Sequence, residues 1–361
     1  MSNNYVKLTN ILDDYDVDEL VETENCNDVK EFFTERGNKT CTNIRAGSYG
    51  VPILVVDKKT HKKYIIKKIF ELRFDDIERE LNIRHLNHPN IPKYIATYYN
   101  IFKDGEFIPQ KEKEISLETF GASLLFNQEG TLFIVMEFVE GETLYDRKKN
   151  INYTSLLKDL ISVLKYIHLK KKMVHLDLSR ANIMIDNNNK PYVIDFGTSV
   201  TDDDIKYEKI RFRNTPTISK IIRDPKNPNI SKTINIPKDP NKFLFLGDVI
   251  ANSPHVLKLM KNNIQVSIED LMFNDIYNVF VSLFTLIDDM PPYHFATDKH
   301  GYDLEKTRYI ILNTYPYLLT LKNRLNKLIN CMILYARQTE LRNFTLKEIR
   351  KIYKMLEKTL N

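Results

Sequence analysis

Two short runs hold the residues best suited to do chemistry. H-L-D-L-S-R-A-N-I-M-I-D contains His175 and sets Asp177 five residues before Asn182. Y-V-I-D-F-G ends an apolar run on Asp195, Phe196 and Gly197. Transfer of a phosphoryl group needs little covalent chemistry. It needs a divalent metal held by hard oxygen ligands and a group that orients the attacking hydroxyl. An aspartate, an asparagine five residues later and a strand ending in a second aspartate can place three oxygen ligands around one phosphate chain. A lone aspartate is more often a cap or a surface residue, so the signal lies in the joint spacing.

The elements around these runs follow from periodicity. Upstream, Val51 to Asp57 and Tyr64 to Phe70 are apolar and β-branched, separated by the turn-like K-K-T-H-K-K. A helical stretch is expected from Phe74 to Leu86, and a buried strand from Leu132 to Val139. Leu156, Leu157, Leu160, Ile161, Leu164 and Ile167 recur every three or four residues and predict a helix with one buried face. Short strands at Ile183–Ile185 and Tyr192–Ile194 flank N-N-N, and Met272 to Ile287 reads as a buried helix. Strands first and helices later, without repeats, predict an α+β chain with a small β-rich lobe and a larger helical one.

Composition sets outer bounds. The chain has 361 residues, 42% of them hydrophobic, and a formal charge of +5. It can bury a core, and its charge alone does not call for nucleic acid. Cys26, Cys41 and Cys331 are dispersed and odd in number, which argues against a disulfide framework or a zinc site and fits a reducing, cytoplasmic setting. No apolar leader opens the sequence, and no uninterrupted apolar run of about 20 residues appears. Abundant Asn, Lys and Ile fit an AT-rich genome, such as that of a parasite or a large DNA virus. Residues 1–38 read as an acidic extension, solvated in the simplest view. Residues 206–242 are basic and interrupted by five prolines, so a long exposed loop without regular structure is expected there.

The motif set resembles that of the eukaryotic-type protein kinase superfamily, over about residues 40 to 355. The resemblance implies a bilobal fold, ATP and Mg2+ as cofactors, and protein substrates. Its lobes would span residues 39–139, including the hinge, and 140–361. By that likeness Asp177 is the catalytic carboxylate, and Asn182 and Asp195 hold magnesium. I-R-A-G-S-Y-G-V resembles the phosphate-covering loop, where Gly47, Ser48 and Gly50 would let backbone N–H groups approach the phosphates. Y-I-I-K-K-I places Lys67 on the α- and β-phosphates. Glu80 is the preferred ion-pair partner of Lys67 and Glu78 the competitor, because the spacing to H-P-N-I is one residue short. L-F-I-V-M-E-F-V-E-G-E-T-L resembles the hinge, with Met136 as gatekeeper and the backbones of Glu137 and Val139 binding adenine. In F-N-D-I-Y-N-V-F, Asp275 would brace the catalytic loop.

Several positions depart from the family pattern. Arg45 replaces the first glycine of the phosphate loop, and Pro52 implies a bulge or altered roof. Leu176 replaces the arginine that pairs with an activation-loop phosphate in many kinases, which implies activity independent of such a phosphate. Ser179 stands where serine/threonine kinases carry lysine, and Arg180 is the nearby cation. Some atypical kinases and kinases of large DNA viruses share this form. No Ala-Pro-Glu closes the segment between Asp195 and Asp275. Three functions are therefore weighed: a serine/threonine protein kinase, a small-molecule kinase with the same nucleotide chemistry, and a pseudokinase scaffold. The basic stretch reads first as a solvated insertion and, alternatively, as a docking surface for an acidic partner: an acidic substrate, a phosphorylated protein, nucleic acid or a membrane surface.

Overall fold

Alternating β-branched and aromatic residues build a six-stranded antiparallel sheet in the computed structural model. The structure describes residues 15–16, 50–57, 62–69, 79–103, 106–111, 130–147, 151–202, 204, 217–223, 231–237, 252–262, 264–293, 297–298, 301–302 and 304–361. The sheet contains β1 (Tyr15–Asp16), β2 (Gly50–Asp57), β3 (Lys63–Ile69), β4 (Tyr94–Lys103), β5 (Glu106–Lys111) and β6 (Gly130–Glu137), ordered β1-β2-β3-β6-β4-β5. Ile66, Leu132, Phe133 and Val135 are fully buried on the central strands. The β4–β5 pair was not singled out from periodicity, although Asp104-Gly105 between the two strands is a strong hairpin dipeptide.

Two expectations are corrected in this sheet. β2 and β3 pair in unbroken register from Gly50 opposite Ile69 to Val56 opposite Lys63, with Pro52 opposite Lys67, so Pro52 brings no bulge. β1 reaches only Val56 and Asp57, so Pro52 has no second neighbouring strand among the described residues. A proline on such an open flank costs no ladder bond on that side. The acidic extension is likewise not wholly a solvated tail, because Tyr15 and Asp16 form the short edge strand.

Compact grouping divides the chain into two units. The first takes Met1–His85, Pro92–Phe138 and Ser219–Ile236; the second takes Leu86–Ile91, Val139–Ile218 and Pro237–Asn361. The second unit opens with β7 (Gly141–Thr143) and α1 (Tyr153–Lys165). The side chain of Asn152 caps α1 by accepting from the backbone of Ser155, and Leu156, Leu157, Leu160, Ile161 and Leu164 line its buried face. A single π-turn, Tyr166–Lys170, extends α1 and buries Ile167 and His168. β8 (Met173–Val174), β9 (Ile183–Asp186), β10 (Pro191–Val193) and β11 (Val200–Thr201) follow. They form two small sheets, β10-β9-β7 and β11-β8.

The basic stretch needs a third correction. Its described residues include two strands, β12 (Thr217–Arg223) and β13 (Ser231–Pro237), that pair with each other. Their prolines lie mainly outside the strands, and T-I-S-K-I-I-R and S-K-T-I-N-I-P are rich in the β-branched residues Thr and Ile. That β-branched content outweighs the proline count.

The core of the second unit is helical, built from α2 (Pro254–Lys261), α3 (Ile268–Asp288), α4 (Leu304–Asn313), α5 (Arg324–Gln338) and α6 (Leu346–Leu360). Between α3 and α4 lies a two-strand pair, β14 (Thr297–Asp298) and β15 (Gly301–Tyr302). α3 packs against α1, α2, α5 and α6. Phe273, Phe280 and Phe284 are fully buried. Burial of such side chains stabilises by about 1.5–3 kcal/mol each. A capping box between Ser267 and Asp270 fixes where α3 begins. α3 is the one described helix long and apolar enough to cross a membrane, and it is largely buried inside this unit.

Candidate functional site

Lys67 sits on β3 with its ammonium group 2.8 and 2.9 Å from the two carboxylate oxygens of Glu80. Side-chain exposure is 13% for Lys67 and 7% for Glu80, so the pair is shielded from bulk water. Glu80 is thereby the glutamate the structure brings to Lys67; Glu78 lies outside the described residues. Only Arg79 and Glu80 are α-helical in this described segment, and Leu81–His85 form a 3₁₀ helix. A 3₁₀ turn advances farther per residue than an α-turn, so Leu81–His85 cover their length in fewer residues than an α-helix would need.

Asp275 organises the loop that carries Asp177. It is fully buried at 0% exposure. One carboxylate oxygen accepts the backbone N–H of His175 at 2.6 Å and lies 3.1 Å from Nε2 of His168. The other accepts the N–H of Leu176 at 2.9 Å. Leu176 is held at φ 66°, a left-handed conformation that leucine rarely adopts. The Leu178 carbonyl accepts from the hydroxyl of Ser282, one more tie to α3. This is the bracing role expected of Asp275, with His168 as an added member.

Asp177 and Asn182 meet directly. The Asn182 side-chain amide donates to the Asp177 carbonyl at 2.9 Å and to its carboxylate at 2.8 Å. The 3₁₀ turn Arg180–Asn182 closes the five-residue spacing. With the amide nitrogen turned to Asp177, the Asn182 side-chain oxygen lies on the opposite side of the amide group. The Asn182 carbonyl also accepts from the backbone of Ile194, one residue before Asp195.

Asp195 is left-handed too, at φ 61°, and its carboxylate accepts from the Gly197 N–H at 3.3 Å. Phe196 is buried against the His175 ring, with centroids 4.8 Å apart. His175 reaches the Ile194 carbonyl at 3.0 Å, and its own carbonyl accepts from the Thr198 hydroxyl at 2.8 Å. The two motif runs thus form one hydrogen-bonded body.

The remaining sequence candidates divide by location. Gly50 begins β2, while Gly47 and Ser48 lie outside the described residues. Glu137 ends β6 with an exposed side chain, and its N–H donates to the Lys93 carbonyl at 2.9 Å. Val139 is buried. Arg180 lies with its guanidinium 5.2 Å over the Tyr145 ring. The donors fit a hard divalent cation: Asp195 offers a carboxylate and Asn182 an amide oxygen. No group of three or more His, Cys, Asp or Glu is gathered among the described residues. Two protein ligands with the rest from water and phosphate is the usual manner of magnesium.

Three features escaped the sequence reading. Gly141 lies so close to β9 that an added Cβ would overlap the Ile185 carbonyl and stand 2.8 Å from the Asp186 Cα. Its G-E-T context was the available signal. His255, in the Ser253-Pro254-His255 start of α2, lies 2.9 Å from the buried Asp270 carboxylate. Burial alone would raise the Asp270 pKa, but hydrogen bonds from His255, Phe344 and Ser267 outweigh it and lower it. His168, third, contacts Tyr353 of α6 at 2.6 Å. Nothing in the sequence signals that pairing across 185 positions.

Comparison with known proteins finds a partial family match. Residues 39–217, just under half of the chain, match the protein kinase domain family. A probable serine/threonine-protein kinase mkcD of Dictyostelium discoideum is 26% identical over 140 residues, covering 37% of this chain and 17% of that protein. Mitogen-activated protein kinase 19 of Arabidopsis thaliana is 27% identical over 203 residues, 52% of this chain and 28% of its own length. The dual specificity protein kinase zakA of Dictyostelium discoideum is 31% identical over 86 residues, 22% of this chain and 11% of that protein. The matched stretches therefore span well under a third of the length of these relatives.

Proposed function

We propose that this chain, which carries a protein kinase domain over residues 39–217, transfers the γ-phosphoryl group of ATP to serine or threonine hydroxyls of protein substrates. The observation that carries the reading is the clasp between Asp177 and Asn182 on the loop braced by Asp275. It fixes a carboxylate and an amide oxygen on the loop whose Asn182 carbonyl holds Ile194, the neighbour of Asp195.

In this reading Asp177 orients the incoming hydroxyl and takes up its proton. Asn182 and Asp195 hold Mg2+, which when bound neutralises charge on the phosphates. Lys67, steadied by Glu80, binds the α- and β-phosphates, and the glycines around Gly47, Ser48 and Gly50 cover them. The backbones of Glu137 and Val139 hold adenine. Most of the contribution is positioning and electrostatics. Leu176, buried where the family carries an arginine, supports activity that needs no activation-loop phosphate. Phosphatase treatment should leave the rate unchanged, and a large fall would contradict this. The dispersed cysteines support a cytoplasmic setting.

The reading is tested by supplying labelled ATP and magnesium with acidic proteins, basic proteins and a metabolite panel, then hydrolysing the products. Label on phosphoserine or phosphothreonine is the expected result. Label on phosphotyrosine as well would redefine the specificity as dual. Label confined to metabolites would replace the protein-kinase reading with the small-molecule one. Folded protein that binds ATP but labels nothing would favour a scaffold.

A further inference from the structure

We propose that Tyr353 on α6 is a positioning residue for the transfer step: through His168 and Asp275, its hydroxyl holds the His175–Leu176 turn that presents Asp177. The inference rests on the role given to Asp177 above. It concerns a helix well beyond the matched residues 39–217.

The direction of the hydrogen bonds follows from elementary chemistry. A carboxylate only accepts. Asp275 already takes the N–H groups of His175 and Leu176, so the His168 Nε2, 3.1 Å away, must donate to it. In a neutral ring Nδ1 then accepts, and the Tyr353 hydroxyl, 2.6 Å from Nδ1, donates. The opposite tautomer would set an imidazole lone pair against a carboxylate oxygen. The tyrosine hydroxyl therefore selects the ring form that serves Asp275.

All three side chains are buried, with exposures of 1% for Tyr353 and 0% for His168 and Asp275. No competing water reaches the chain of bonds from bulk solvent, and each link polarises the next. Burial, with the nearby Asp275 charge, pushes the Tyr353 hydroxyl well above its ordinary pKa, so it remains a donor. The far end of the chain is the left-handed Leu176. That conformation persists only where the surroundings over-determine it. The adjoining His175 also ties into the Asp195 segment through Ile194 and Thr198. A displaced turn would therefore disturb both motif runs.

A purely packing role for Tyr353 is separable by experiment. Tyr353→Phe keeps the ring, which stands edge-on to His168 at 6.0 Å, and removes only the hydroxyl. Glu357→Gln, on the same helix, breaks the ion pair to Lys165 of α1 without touching His168. Two readouts are taken on the full chain: amide hydrogen exchange at His175 and Leu176, and steady-state transfer with magnesium-ATP.

For Tyr353→Phe, exchange at both amides should rise and kcat fall, each about tenfold, as expected when a buried nitrogen loses its partner. KM for ATP should stay within about twofold, because an effect on positioning appears in kcat. Glu357→Gln should match wild type in both readouts. Unchanged exchange in Tyr353→Phe would overturn the relay whatever the activity. Faster exchange with unchanged kcat would overturn its role in transfer. Faster exchange in Tyr353→Phe, together with a wild type that transfers no phosphate to any acceptor, would uphold the relay and remove the functional reading instead.

Discussion

The two charged groups that the sequence marks most clearly as anchors, Glu80 and Asp275, are built in opposite ways. Glu80 meets Lys67 through two short contacts in a shielded but not sealed position. Asp275 is sealed and serves two backbone N–H groups and an imidazole at once. The first arrangement sets the place of one cation. The second sets the path of the backbone. A buried carboxylate with several donors cannot exchange partners without leaving one unsatisfied, so Asp275 acts as a rigid brace. A cation-carboxylate pair can loosen at lower cost, which would suit the phosphate-binding role proposed for Lys67.

The contrast is broken most strongly at Asp275. In Asp275→Asn one acceptor oxygen becomes an N–H2 group facing donors. Stability should fall by about 3 kcal/mol, read as a lower midpoint in urea, with loss of transfer activity. Next comes Gly141→Ala, which forces a Cβ into the β9 backbone. A cost of about 1–3 kcal/mol is expected for such overpacking, seen as a reduced Tm. Unchanged stability would show that β7 can move away from β9.

Glu80→Gln should separate the two designs. It keeps the volume and a hydrogen bond to Lys67 but removes the charge. kcat should fall about tenfold, equivalent to ~1.4 kcal/mol in the barrier, while Tm stays close to wild type. A large stability loss would place Glu80 in the same class as Asp275.

The smallest effect belongs to the exposed Arg342, whose guanidinium meets Glu348 at 2.7 Å. Hydrogen bonds from Arg342 and then from Thr345 hold the Glu348 carboxyl down at about 2 from its ordinary 4.5. A depressed carboxylate pKa stabilises the fold above the ordinary value, and that contribution is lost as pH falls toward the folded value. Arg342→Ala should therefore lower Tm at pH 7, but only by the small amount usual for exposed pairs. It should flatten the fall in Tm between about pH 4.5 and 2. Equal acid-side slopes in both proteins would show that the Thr345 contacts alone hold Glu348.

What could be read from the sequence depended on the range over which the physics acts. Asp177 and Asn182 are five residues apart and are joined by one 3₁₀ turn, so their spacing already encoded their contact. The buried faces of α1 and α3 followed from local periodicity for the same reason. The choice between Glu80 and Glu78 did not, because two glutamates two positions apart are not told apart by local pattern, and the contact of Glu80 with Lys67 is made across 13 positions of chain. Proline counting over residues 206–242 predicted a loop and missed β12 and β13, where β-branched content prevailed. Pro52 implies a bulge or an altered roof in the sequence, and the bulge is absent because the open flank of β2 depends on how far β1 extends. The Tyr353–His168 link lies farthest from sequence reasoning. Both residues sit on apolar faces, where a polar side chain usually finds some partner, and the fold alone decides which one.

The most direct test of the account is the rate of γ-phosphoryl transfer from magnesium-ATP to a protein acceptor, measured in parallel for the intact chain, Asp177→Asn and Asp195→Ala. The account predicts transfer by the intact chain and a loss of at least about a hundredfold in each variant, the scale of removing a group that stabilises transition-state charge. Transfer that continues at the intact rate in both folded variants would contradict it, because the Asp177–Asn182 clasp and the Asp195 strand end would then have no part in the reaction.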